Sequence, residues 1–318
     1  PIPKRPGPPG ETSPNCEVVI MKNNGIVKLN SAQAATKRFG IGMLTPTLVV
    51  LLVMTAYPLI FTFVYSFTDY NYLKGAEKAT FVLFENYVSL FKNGYFQQAV
   101  WNTILFTILA VIFEMGFGLV VAIFVNSLKR GQKAMRTLLL LPYLLPAVTV
   151  ALSWRMMLSA NYGIINQVLK ALNLPVYNWF MDTKTAFGTI LLIDVWQNVP
   201  FVFLLLYAAL QSVSATQYEA ARIDGAGFMQ QFWYITIPNI KNSLALCALL
   251  RTIDTFRLFE KVNVLTGGGP AGTTSTITQF LYNYGIKSLD FGFGSAGAIV
   301  MTVLVLILSS FYIKRAMG

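Results

Sequence analysis

The sequence has no histidine and only two cysteines, Cys16 and Cys247. A transition-metal site therefore lacks its usual imidazole and clustered-thiolate ligands. Cys16 lies in a polar N-terminal segment and Cys247 in an apolar run, so the two are expected at different depths and no disulfide framework follows. Charge is scarce as well: Asp, Glu, Lys and Arg make up 12% of the 318 residues, about half the roughly 25% of a soluble domain. No GxxxxGK[ST] run occurs, so a P-loop nucleotide site is not expected on this chain. Repeats at the periods of solenoid proteins are absent, and no catalytic constellation stands out.

What the chain has instead is apolar length. Hydrophobic residues are 55% of the total, and six stretches stay apolar over the ~20 residues that a helix needs to cross ~30 Å of hydrocarbon. They fall at about 43–67, 99–126, 137–158, 187–211, 241–265 and 295–313. In lipid every backbone N–H and C=O must be bonded within the segment, and runs this long suit helices rather than the shorter alternating strands of a barrel. The expected fold class is all-α: a polytopic membrane protein with six transmembrane helices spanning residues 37–318. Residues 1–36 open on a Pro- and Gly-rich run, lack the apolar core of a signal peptide, and are expected to form a disordered cytoplasmic tail.

The net charge of +11 could suggest nucleic acid, but the basic residues sit beside the apolar stretches and not on one soluble face. Lys37 and Arg38 precede the first stretch, and Lys129, Arg130, Lys133 and Arg136 follow the second. Arg222 and Lys241 lie between the fourth and fifth, and Lys314 and Arg315 follow the sixth. The intervening loops mix both signs. This bias places both termini in the cytoplasm of a multi-pass protein in the cell membrane. In the first outer loop Phe81, Phe84, Tyr87, Phe91, Tyr95, Phe96 and Trp101 recur at near-helical spacing, which predicts a short helix at the headgroup level. Residues 159–186, with Gly163, Asn166, Pro175 and Trp179, form a second outer elaboration.

The loop after the fourth stretch is the most informative. Ser214 has N-cap chemistry, Ala220 and Ala221 favour helix, and Gly225 and Gly227 can end it by taking positive φ. Two alanines and two glycines this close together leave a short helix with a bare face, suited to a groove on a partner. Glu219-Ala220-Ala221, Asp224-Gly225-Ala226 and Ile235-Thr236-Ile237-Pro238 resemble the EAA loop, here about 214–238, of binding-protein-dependent ABC importer permeases. Leu265-Thr266-Gly267-Gly268-Gly269-Pro270 with Thr273 and Thr274 resembles the signature of the carbohydrate-type members, those similar to the maltose and glycerol-phosphate systems.

That resemblance implies a type I ABC importer permease fold and a subunit with no ATPase site of its own, hence not itself an enzyme. ATP and magnesium would be used by partner ATPase subunits, which dock on Glu219, Ala220, Ala221, Asp224 and Gly225. It also implies a second, related permease in a heterodimer, an extracytoplasmic solute-binding protein, and a sugar or related polar solute moved by alternating access. No cofactor, metal or nucleic acid is expected on this chain.

Polar groups inside the stretches cost about 2.5–3.5 kcal/mol each and should face a partner or a path. The fourth carries Asp194, Gln197 and Asn198 before Pro200, and the fifth carries Arg251, Asp254, Arg257 and Glu260 at three-residue steps. Opposite neighbours in such a stripe are close enough to pair, so it suits helix packing as well as it suits a path. Alignment on the family's motifs implies that Asp194, Gln197, Asn198, Phe201, Arg251, Asp254, Thr255 and Leu258 occupy sugar-contact positions, with Arg251 leaving an anionic solute open. Pro146 and Pro200 each remove a backbone hydrogen bond mid-span, Gly116, Gly118 and Gly297 suit close helix packing, and Gly267-Gly268-Gly269 is expected to be a flexible outer turn. An ion-driven secondary transporter would show matched broken helices in repeat halves, which are not visible; a non-transporting scaffold is the other alternative.

Overall fold

The computed structural model describes residues 24–75 and 79–317, and among these the regular structure is helical, with two isolated β-bridges. Two compact units are distinguished, residues 1–60 and Phe61–Gly318. Helix α1 (Asn24–Tyr65) starts within the segment expected to lack structure. The Pro- and Gly-rich run ends well before it, and no proline intervenes until Pro46, so nothing in residues 24–45 breaks a helix. Residues 1–23 of the expected tail lie outside the described residues.

The second unit holds α2 (Glu85–Lys92), α3 (Gly94–Ser127), α4 (Gln132–Leu144), α5 (Ala147–Met157), α6 (Ile164–Ala171) and α7 (Ala186–Gln211). It continues with α8 (Ala215–Ile223), α9 (Phe228–Gln231), a π-helical turn at Phe232–Thr236, α10 (Ile237–Phe256) and α11 (Glu260–Leu265). A short α12 (Ile277–Leu281), a second π turn (Tyr282–Lys287) and α13 (Phe291–Met317) complete it.

Among the described residues four helices are long and apolar enough to cross a membrane: Phe39–Tyr65, Gly94–Ser127, Ala186–Gln211 and Phe291–Tyr312. The third expected span is bent by 89° between α4 and α5, because Pro146 at the junction carries no N–H to continue the ladder. Counted as one span, the pair brings the number to five. The fifth stretch, expected to run unbroken over 241–265, is interrupted at residues 257–259, and α10 carries Asn239, Lys241, Asn242, Arg251 and Asp254 in place of a continuous apolar surface.

Helices α3 and α7 share the most extensive contact in the unit. A Cβ on Gly118 would lie 2.7 Å from Cβ of Val202, so glycine is what lets the two backbones approach. Gly297 is likewise pressed against Leu281, whereas nothing crowds Gly116, which therefore plays no packing role within this unit. Three apolar clusters result. One joins α3, α5, α7 and α11, a second joins α3, α7 and α10, and a third joins α2, α3, α12, α13 and the end of α10 at Phe256.

The segments expected on the outer side are tied down. A short helix, α2, does form in this loop, but of the seven aromatics only Tyr87 and Phe91 lie in it; Tyr95, Phe96 and Trp101 belong to α3, with Phe96 buried and Trp101 exposed. Asn166 donates to the Tyr177 carbonyl (2.9 Å) and accepts from Nε1 of Trp179 (2.9 Å), fastening residues 159–186 together. The glycine run is not a loose turn. Gly267 and Gly268 take φ of +63° and +93°, and the Thr266 and Thr274 hydroxyls share a hydrogen bond of 2.7 Å. Nδ2 of Asn102 donates to the carbonyls of Gly272 (2.9 Å) and Ser275 (3.0 Å).

Candidate functional site

Two features in the second unit carry chemistry. The first is a cluster of buried charges where the first two apolar clusters meet along α3 and α7. Glu114 is fully buried, and Asp194, Lys261 and Arg251 are each at most 4% exposed. Arg251 of α10 holds Glu114 of α3 bidentately, Nε to Oε2 at 2.6 Å and Nη2 to Oε1 at 3.1 Å. The same Nη2 lies 4.0 Å from Oδ2 of Asp194 and donates to the Thr255 hydroxyl at 3.3 Å. Oδ1 of Asp194 accepts from Lys261 of α11 and from Nδ2 of Asn198 (3.0 Å). Two cations and two anions thus cancel in a medium that tolerates none of them singly.

Asp254 is the exception. Its side chain is 57% exposed, with one contact of 3.4 Å to Nη1 of Arg251. The expected four-residue stripe does not form, because α10 ends at Phe256 and Arg257 is its C-cap. Arg257 and Glu260 are exposed and make no ion pair among the described residues. Arg251 pairs mainly across helices.

The structure brings Asp194, Asn198, Arg251, Asp254 and Thr255 into one connected network. Gln197 turns the other way: its Nε2 donates to the Leu145 carbonyl at 2.9 Å, an acceptor beside the break that Pro146 opens. Phe201 is half-buried and stacks on Tyr143 with ring centroids 5.4 Å apart. Leu258 sits in the first apolar cluster, and its carbonyl accepts from the Thr276 and Thr278 hydroxyls. Glu114 and Lys261 are absent from the sequence-derived set. An acid alone in the 99–126 run and a lysine inside 241–265 are the signals that point to them, by the same cost argument that singled out Asp194.

The second feature is the loop from α7 to α10. Ser214 precedes α8 with extended backbone, but its hydroxyl pairs with that of Thr216 (2.7 Å) and does not cap the helix. The helix ends in a Schellman turn: the Gly225 N–H donates to the Arg222 carbonyl (3.1 Å) and the Ala226 N–H to the Ala221 carbonyl (2.8 Å). Gly225 takes φ of +79°, the left-handed position that favours glycine. Gly227 does not; at φ −71° it is the extended N-cap of α9. Glu219, Ala220, Asp224 and Gly225 are exposed and Ala221 half-buried. Behind α8 lies a cavity of about 450 Å³, lined by Tyr218, Glu219, Arg222, Phe228 and Gln231 among others.

Residues 114–315 match the family model described as binding-protein-dependent transport system inner membrane component. The chain belongs to this family. It is an inner-membrane permease, and the match runs from Glu114 of the charge cluster through the α8 loop into the last turn of α13.

The permease is 36% identical over 295 residues to the trehalose/maltose transport system permease protein MalF of Thermococcus litoralis, covering 92% of this chain and 98% of that protein. It is 33% identical over 272 residues to the sulfoquinovosyl glycerol transport system permease protein SmoG of Agrobacterium fabrum, covering 86% and 88%. Among solved structures, a bacterial ABC transporter involved in the import of the acidic polysaccharide alginate has a chain of the same fold, with a TM-score of 0.79 over 90% of this permease and 97% of that chain at 22% identity.

Proposed function

We propose that this permease is one half of the translocation path of an ATP-driven sugar importer, with six spans and both termini in the cytoplasm. In this reading α10 and α11 together form the span that falls short of the apolar-helix test. A second related permease completes the path, an extracytoplasmic binding protein delivers the solute, and separate ATPase subunits, which use ATP and magnesium, dock on α8. Nucleotide-driven closure of those subunits then shifts α8 and opens the path alternately to each side.

The observation that carries this reading is α8 itself, a short helix with exposed alanine and acidic residues, closed by a glycine turn. The names of similar proteins support a sugar: one is named for trehalose and maltose, another for a sulfonated sugar glycerol. Asp194, Gln197, Asn198, Phe201, Arg251, Asp254, Thr255 and Leu258 line or support the path, with Asp254 and Phe201 the groups offered to solute. Because the guanidinium of Arg251 is engaged by Glu114, the exposed charge in this network is the Asp254 carboxylate, an acceptor for sugar hydroxyls. A neutral, hydroxyl-rich solute therefore suits it better than an anionic one.

The reading is tested in a reconstituted complex carrying Glu219→Lys with Gly225→Asp. ATP-dependent uptake and stimulation of hydrolysis should be lost while the permease still inserts; unchanged uptake would sink the proposal. Asp254→Asn should raise KM for uptake at least several-fold with the ATPase subunits still bound. An Asp254→Asn transporter with unaltered kinetics would remove that residue from the path.

A further inference from the structure

The polar links of α8 are one-sided. The Tyr218 hydroxyl, half-buried, meets the Thr236 hydroxyl at 3.0 Å, and Nδ2 of Asn239 donates to Oε1 of Gln217 at 3.0 Å. Both bonds run to the π turn and the start of α10. Towards α7 the connection is residues 212–214, where the Ser212 hydroxyl donates back to the Ala209 carbonyl (2.7 Å) and Ser214 pairs with Thr216, neither bond joining α8 to α7. At its end α7 is held by Gln211 to Asn126 of α3; Asn126 and Leu210 share the lining of the cavity behind α8, but among the described residues no side-chain hydrogen bond joins α8 to α7 or α3.

The segment between α8 and α10 is closed up by its own bonds. Nε2 of Gln231 donates to the Ala226 carbonyl (2.7 Å), Oε1 of Gln230 accepts from the Gly227 N–H (2.8 Å), and Nδ2 of Asn239 also reaches the Ile235 carbonyl (2.7 Å). Within Phe232–Thr236 the backbone bonds skip to the fifth residue, as with the Ile237 N–H to the Phe232 carbonyl. Such a π turn displaces the residues after it relative to an α-helix and recurs at functional positions, and here Thr236 is the residue that Tyr218 meets.

We infer that the Tyr218–Thr236 and Gln217–Asn239 hydrogen bonds are the linkage that delivers displacement of α8 into α10 and not into α7. The four are positioning residues. Beyond Asn239 along α10, ~18 Å away at ~1.5 Å per residue, Arg251 grips Glu114 of α3 and approaches Asp194 of α7. The helix that receives the push is thus the one bonded to both other helices at the charge cluster. This inference rests on the reading of α8 as the docking element.

The test uses the assembled complex in nanodiscs, in a Cys16→Ser background, with spin labels at Glu260→Cys and Tyr95→Cys, both exposed positions of the outer half. Vanadate-trapped ATP should shift the label distance by several ångströms in the parent. With Tyr218→Phe plus Asn239→Ala the ATPase should co-purify in full, yet the shift should fall to less than half. Tyr218→Phe with Thr236→Val removes both hydroxyls of that contact, together with the 3.3 Å bond from Thr236 to the Gln231 carbonyl, so a merely structural role predicts a full shift; the linkage predicts a shift that stays reduced. A full shift with both bonds removed overturns the inference and leaves the docking proposal standing. Absence of any shift in the parent, or an ATPase that never binds, removes both.

Discussion

Glu114 and Lys261 show how much a single side chain decides in an apolar interior. Each cancels a partner on another helix, Arg251 and Asp194 respectively, and removing one leaves its partner charged and buried. Lys261→Met should therefore destabilise the permease by about 3–5 kcal/mol, whereas Lys261→Met with Asp194→Asn should cost distinctly less. Thermal unfolding of the purified complex checks both, and equal losses in the single and double variants would contradict the pairing. In the loop after α1 Asp69 behaves differently. The Thr80 N–H at 2.6 Å holds its carboxyl below the usual aspartate range. A depressed carboxyl contributes above its ordinary range and loses that contribution as pH falls through the folded value, so the protection of the Thr80 amide relative to its intrinsic exchange rate at the same pH should fall only in acid. Asp194 was legible in the sequence because a charge inside an apolar run is costly; which groups it pairs with was not, because pairing between helices leaves no trace in local spacing.

At the scale of elements, the breaks matter more than the spans. Pro146 marks one break in the sequence, and Gln197 is the side chain that satisfies the carbonyl beside it. Gln197→Leu should cost about 1–3 kcal/mol through the unsatisfied Leu145 oxygen and should loosen the α4–α5 corner, seen as faster amide exchange there. The other break, at residues 257–259, has no proline, and the three-residue spacing of charges read as one continuous helix. It forms because the Leu258 carbonyl is taken by Thr276 and Thr278, a contact from a later segment. The glycine run misleads in the same way: composition suggests flexibility, but Asn102 pins the loop from α3. Asn102→Ala should raise amide exchange across residues 266–276 at least tenfold with little change in α3, and unchanged exchange would show the loop to be held by its own threonines.

For the whole molecule, the sequence alone determined that the chain is helical and membrane-embedded, since apolar length and backbone hydrogen bonding leave no other arrangement. It also determined the α8 turn, because the alanines and Gly225 act through local backbone geometry that neighbouring residues specify. Family membership was legible for the same reason: the EAA-type spacing lies within one short segment. What only the tertiary structure decided is which charges meet, that Arg251 is engaged by Glu114, that Asp254 alone of the network stays open, and that α8 is bonded to α10. Those contacts join residues far apart in the chain, where partner choice depends on how helices stack and break, and hydropathy records that each group is polar without recording what it faces.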